Sequence, residues 1–170
     1  MRGDQPIVCA ISSALWKTSR ATSQPTPTSI LPSSGAAGNS LLDTGPLVAL
    51  LSKNDAAHQQ CVEVFASFRG HLLTTEAVVT EAIRLVGRRG AAACLDFFLR
   101  AGALIVPVDV RRLQRCRDLM IRYADVPMDF ADATLVALAE EFGVGHIFTL
   151  DRRGFTTYRW RRTRSFTLAP

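Results

Sequence analysis

The sequence predicts an α/β domain of three layers: a central, mostly parallel sheet of four to five short strands flanked by helices. Two observations carry this expectation. Short apolar runs that look like buried strands recur along the chain, and stretches of helical period separate them. Strands alternating with helices imply a parallel sheet covered on both sides. With 170 residues, 48% of them hydrophobic, the chain can bury one respectable core but hardly two.

Residues 1–40 stand apart. "MRGDQPIVCAISSALWK" contains an apolar run of about ten residues, too short to span a bilayer. "TSRATSQPTPTSILPSSGAAGNS" is rich in Ser, Thr, Pro and Gly, the composition of a disordered or low-complexity extension, or of a start placed too far upstream. A secretory signal fits less well, because serines interrupt the run and no convincing cleavage site follows. From residue 41 the strands expected in order are "SLLD", "HLLTT", "ALIVPVD", "HIFTLD" and "RSFTLA". Helices are expected at 55–68, 75–87, 90–102 and 110–123, and in "VPMDFADATLVALAEEF" at 126–142. No internal repeat is visible.

Composition excludes several classes of site. Cys9, Cys61, Cys94 and Cys116 lie far apart, and His58, His71 and His146 stand alone, so no zinc-ligand spacing appears. The cysteines read as reduced, buried thiols of a reducing compartment. Lys17 and Lys53 are the only lysines, which rules out a G-K-[ST] phosphate loop. Net charge is +5, and residues 1–150 balance at 14 basic and 14 acidic side chains. The excess therefore sits in "DRRGFTTYRWRRTRSF", where Tyr158 and Trp160 interleave with arginines. Guanidinium groups beside aromatic faces suit phosphate contact and base stacking, though such a run also fits a solvated edge or a dock for an acidic partner.

In open α/β sheets, ligands bind outside the carboxyl ends of the strands. Two expected strands end there in an acid, Asp43 and Asp151. Each also has a plainer explanation as the cap of a following helix, and Pro46 near the first turn favours it for Asp43. In "TEAVVTEAIRLVG", Glu76 sits in the first turn, where the helix dipole explains it. Glu81 lies about 140° further round, beside Ala77, Val78 and Leu85. Burying it calls for a positive partner, which is a metal ion or Arg84 at i+3. Asp129 and Asp132 match a capping box. Leu135, Val136 and Ala139 continue on the side of Asp132, so it is expected to point inward and Asp129 to cap.

Asp43, Glu81, Asp132 and Asp151 thus form a set of carboxylates whose joint presence calls for cations. Oxygen-only ligation selects Mg²⁺ or Mn²⁺ over zinc. Such ions activate water and stabilise charge on a phosphodiester. With the arginine-rich tail, nucleic acid is the substrate suggested.

"LLDTGPLVALL", "LLTTEAVVTEAIRLV" and "MDFADATLVALAEEFGVGHIFTLDRRGF" resemble, in order and spacing, the three signature blocks of PIN-domain ribonucleases, specifically VapC-like toxins of bacterial type II toxin–antitoxin systems. The resemblance covers residues 41–170. It implies a PIN-like fold and a metal-dependent endoribonuclease in which Asp43, Glu81, Asp132 and Asp151 hold one or two Mg²⁺ or Mn²⁺. Thr44 matches the hydroxyl that steadies the first acid. Cleavage would leave 5′-phosphate and 3′-hydroxyl ends, and Arg152, Arg153, Arg161 and Arg162 would help hold the RNA backbone. A cytoplasmic enzyme, a cognate antitoxin protein and a homodimer are implied as well, with no membrane partner. The antitoxins of the family often block the acidic site with an arginine.

Two departures stand out. Gly154 occupies a position where members often carry a second acid, and the forty-residue extension is atypical. The alternatives are a PIN ribonuclease of RNA maturation or decay without an antitoxin, and an inactive PIN module that binds RNA or a partner. A phosphorylated receiver or a haloacid-type phosphatase fits poorly, because late lysines are absent and Gly45 stands where the latter needs an aspartate.

Overall fold

The computed structural model describes residues 38–101 and 103–170. The expected extension, residues 1–40 with Cys9, lies outside the described residues except for its last three, and the first strand already begins at Ser40. Five strands form one sheet: β1 (Ser40–Leu42), β2 (Leu72–Thr74), β3 (Leu104–Ile105), β4 (His146–Phe148) and β5 (Thr167–Ala169). Their order is β3-β2-β1-β4-β5, and every pairing is parallel.

The strand sequences are mostly apolar because both faces of the sheet are covered. Successive side chains point to opposite faces. Leu41, Leu73 and Ile147 accordingly join one buried cluster, while their neighbours Leu42, Leu72 and Phe148 join the other. The helices that cover the second face are α1 (Thr44–Leu51), α2 (His58–Ser67) and much of α3 (Glu76–Ala101). The two helices expected at 75–87 and 90–102 are one run broken at Gly87, whose φ is 70°. Phe65 packs against Phe97 and Phe148 at 6.2 and 4.8 Å between ring centres.

The first face carries α4 (Val110–Arg122) and α5 (Phe130–Phe142), and α6 (Arg152–Thr157) supplies Phe155 to the same cluster. Every residue of α5 from Ala131 to Ala139 is buried, because the helix is packed between the sheet and α4. A helix that is apolar all round is buried all round. The stripe expected behind Asp132 is therefore no stripe; burial of that acid follows from burial of the whole helix. Arg112 and Arg115 clamp α4 to the last turn of α5 through bidentate pairs with Glu141 and Glu140.

α5 ends on Gly143 at φ 68°, in the left-handed region that side chains resist. Gly143→Ala is expected to lower stability by about 1–2 kcal/mol, read as a fall in melting temperature with the fold intact.

Among the described residues no helix is long and apolar enough to cross a membrane. Cys61, Cys94 and Cys116 are free and buried, and burial pushes all three thiols above their ordinary range. Such thiols are chemically quiet.

Candidate active site

The chain leaves β1 to build β2 and β3 on one side and returns to place β4 on the other. The crevice at the carboxyl ends of β1 and β4 is where such a sheet presents a ligand site. Asp43 stands there, following β1, and its backbone N–H still donates to Phe148 O on β4 at 3.0 Å. Its side chain accepts from Thr44 N at 2.7 Å as the cap of α1, and from the Thr149 hydroxyl at 2.7 Å. Only 7% of its surface is exposed. Burial pushes its carboxyl up to about 6, helped by the charges of Glu81 and Asp129, against the two hydrogen bonds that favour the anion.

Asp132, 8% exposed, enters from the first turn of α5. Burial pushes its carboxyl up to about 7, and the charges of Asp129 and Asp43 add to the shift. Its Oδ2 accepts from the Tyr158 hydroxyl at 3.1 Å and, at a longer 3.4 Å, from Asp129 N. The reciprocal bond, Asp132 N to Asp129 Oδ1, is 2.9 Å. Both halves of the capping box are present, so capping does not separate the two aspartates as expected. Asp132 both closes the box and faces Asp43.

Glu81 reaches the same place from α3, half-buried, and accepts from the Thr44 hydroxyl at 2.9 Å. Thr44 thus steadies Asp43 through its backbone N–H and Glu81 through its side chain. Arg84, the alternative partner of Glu81, makes no ion pair with it among the described residues. Asp151 is placed differently. It is exposed, and both its oxygens accept from Gly154 N, at 3.0 and 3.2 Å, as the cap of α6. Its backbone N–H donates to Thr149 Oγ1 at 2.9 Å, which links it to Asp43 at one remove.

Asp43, Glu81, Asp129 and Asp132 are therefore brought together, with Asp151 on the rim. None of them forms an ion pair with arginine or lysine among the described residues. The sequence did not single out Thr149, and it offered Tyr158 only as a stacking face beside the arginines, not as a partner of Asp132. The hydroxyl of Thr149, standing at the end of an apolar strand, was a usable signal; nothing local marked Tyr158 as a partner of Asp132. Beside the acids opens a cleft of about 720 Å³, lined by Glu81, Asp129, Glu76, Arg84, Leu113 and Phe130 among others.

The basic tail divides. Arg152 and Arg153 begin α6 at the site end, and Arg152 donates to Pro170 O. Arg161 donates instead to Glu140 O, at the far end of α5. Glu140 lies eight residues, roughly 12 Å, along that helix from Asp132. Arg161 and Arg162 occupy left-handed positions, φ 45° and 70°, in a tight turn closed by the Trp160–Arg164 bridge. The expectation of stacking faces here is corrected. Tyr158 is fully buried and Trp160 nearly so, with its ring already held by Arg161 and Arg164 at 5.6 and 5.2 Å.

The donor set suits a hard divalent cation: oxygen ligands only, two of the carboxylates buried without a cationic partner and shifted toward protonation by that burial. Among the described residues no three His, Cys, Asp or Glu side chains converge into a ready-made cage. That is compatible with Mg²⁺, which takes one or two carboxylates and completes its shell with water and substrate phosphate.

A parallel five-stranded sheet with carboxylates gathered where β1, α3 and α5 meet defines a PIN domain. The chain belongs to that family, whose model matches residues 40–160. It is similar to Ribonuclease VapC26 of Mycobacterium tuberculosis (strain ATCC 25618 / H37Rv), at 29% identity over 134 residues, 76% of this chain and 99% of that protein. Among solved structures it resembles Mycobacterium tuberculosis VapC20, described as a sarcin–ricin loop cleaving toxin. The TM-score is 0.62 at 23% identity, over 66% of this chain and 90% of VapC20. At that identity the likeness is one of fold.

Proposed function

We propose that this VapC-like PIN domain is a metal-dependent endoribonuclease, the toxin of a toxin–antitoxin pair. The observation that carries the reading is the pair of buried carboxylates, Asp43 and Asp132, brought together with Glu81 and, among the described residues, in no ion pair with a basic side chain. Asp43 and Asp132 would hold Mg²⁺ or Mn²⁺, with Glu81 and Asp151 completing the acidic set. The bound ion would supply charge stabilisation at the scissile phosphate and lower the pKa of an attacking water.

The protein's own part is orientation. Thr149 and Thr44 fix the two oxygens of Asp43, and the Thr44 hydroxyl holds Glu81 Oε2. That leaves Glu81 Oε1 free of protein partners among the described residues, placed to take a proton from water. The cleft beside Glu81 is the proposed seat of the RNA, where the partly exposed Phe130 ring offers a stacking face and Arg84 a phosphate partner. Arg152 and Arg153 are proposed to hold the backbone at the site edge. Arg161 and Arg162, at the far end of α5, would reach only a longer strand.

The ribonuclease reading draws on the likeness to Ribonuclease VapC26, and the toxin role, the antitoxin and the homodimer draw on the resemblance of the three sequence blocks to VapC-like toxins. Purified protein is expected to cleave RNA with Mg²⁺ or Mn²⁺, leaving 5′-phosphate ends, and to stop when EDTA is added. Induction without an antitoxin gene should arrest growth. Cleavage that persists undiminished in EDTA would sink the metal reading, and cleavage in vitro without growth arrest would favour an RNA-processing role.

A further inference from the structure

The most constrained aromatic residue of the site region is one the metal reading does not use. Tyr158 caps the C-terminus of α6, and none of its surface reaches solvent. Its ring is wedged edge-on between Tyr123 and Phe155, with ring centres 5.2 and 5.3 Å away. The hydroxyl donates to Asp132 Oδ2 at 3.1 Å. Burial beside that acid holds the phenol far above its ordinary range, so the hydroxyl keeps the proton it donates.

Gly154 makes the reach possible. A β-carbon there would stand 2.9 Å from the ring Cε2 of Tyr158 and 3.0 Å from its hydroxyl, and would collide with Asp151 Oδ2. Any side chain at 154 must therefore displace Tyr158, Asp151 or both. Asp132 itself is held unevenly. Its Oδ2 takes the tyrosine bond and the longer one from Asp129 N, whereas Oδ1 accepts no hydrogen bond among the described residues.

We propose that Tyr158 is the positioning residue of Asp132 and that Gly154 is the space through which it acts, tying back Oδ2 so that Oδ1 is presented to a divalent cation. The proposal rests on the metal-dependent reading above. It predicts that Tyr158 acts on cation affinity, beyond filling the core. Groups that orient metal ligands typically contribute about 10- to 100-fold in affinity or activity.

The test is direct Mn²⁺ binding by calorimetry on the full chain, alongside the Mn²⁺ dependence of RNA cleavage. Tyr158→Phe keeps the ring and removes the hydroxyl. It is expected to weaken Mn²⁺ binding about tenfold or more, and added Mn²⁺ should restore cleavage. Gly154→Ala should weaken binding too, and because its β-carbon also displaces Asp151 it is compared in the Asp151→Asn background, where the loss that remains runs through Tyr158. Mn²⁺ affinity within twofold of wild type in Tyr158→Phe overturns the proposal. So does loss of cleavage that no Mn²⁺ concentration restores in a variant without a melting transition, since that marks a purely structural role. Wild-type protein that binds no Mn²⁺ would instead bring down the metal reading itself.

Discussion

Asp43→Asn and Asp132→Asn should each reduce RNA cleavage at least about a hundredfold, equivalent to about 2.7 kcal/mol of barrier. Asparagine keeps the shape and the accepting carbonyl of each residue. At Asp43 the bonds from Thr44 N and the Thr149 hydroxyl total two, one to each oxygen, so the amide loses one of them. What chiefly changes is charge. The deficit should appear at every Mn²⁺ concentration tested, in contrast to Tyr158→Phe, because a carboxylate is removed and not merely released from its orientation. Asp151→Asn should be milder, since that side chain is exposed and already occupied with Gly154 N. Single-turnover cleavage of one RNA by the three variants provides the comparison. Equal losses at Asp43 and Asp151 would mean that the rim acid is an equal partner of the buried pair. No loss at either Asp43 or Asp132 would remove the site from this end of the sheet.

The sequence disclosed the sheet well because the central strands are buried on both faces, and continuous apolar runs such as "SLLD" and "HIFTLD" leave few other readings. Asp43 was legible for the same reason: an acid ending such a run falls at the sheet's carboxyl edge. Glu81 was legible from angular position alone. α1 was visible only as a cap with Pro46, and α6, six residues long, left no period to read.

The errors share a cause. Angular position on α5 cannot assign an inner face when the sheet and α4 cover both sides, so the apolar stripe was no guide to the role of Asp132. The arginine run is one patch in sequence but two in space. α6 and the turn after Trp160 carry its two halves to opposite ends of α5. The bonds from Thr149 to Asp43 and from Tyr158 to Asp132 span 106 and 26 residues, beyond any local pattern.

The second large effect concerns stability, and it separates the protein's burial of charge from its chemistry. In EDTA, the stability that Asp43 and Asp132 contribute should be greatest near pH 4 and below and be lost as pH rises toward 8. Asp43 and Asp132 have folded pKa values raised to about 6 and about 7, from an ordinary 3.8, chiefly by burial. A raised folded pKa means that the fold binds the proton more tightly than the unfolded chain. The resulting stability is complete below the unfolded value and is lost as pH climbs through about 6 and 7. For Asp43 the shift corresponds to on the order of 3 kcal/mol.

Two other shifted groups act differently over this range. His146 has a lowered pKa because of burial, which disfavours its charged form and lets stability rise with pH. Asp109 is lowered by its cap bond to Arg112, and its effect falls below the window. Both are unchanged in Asp43→Asn, so the comparison of variant with wild type reads Asp43 together with its repulsion of Asp132. In EDTA the two should melt close together near pH 4. By pH 8 the variant should melt higher, by several degrees at about 2–4 °C per kcal/mol. Mn²⁺ should reverse that order, because only the wild type keeps both buried carboxylates for the ion. Melting curves that separate equally at pH 4 and pH 8 would show that Asp43 is not a charge the fold strains to hold, and would remove the physical reason for placing a cation beside it.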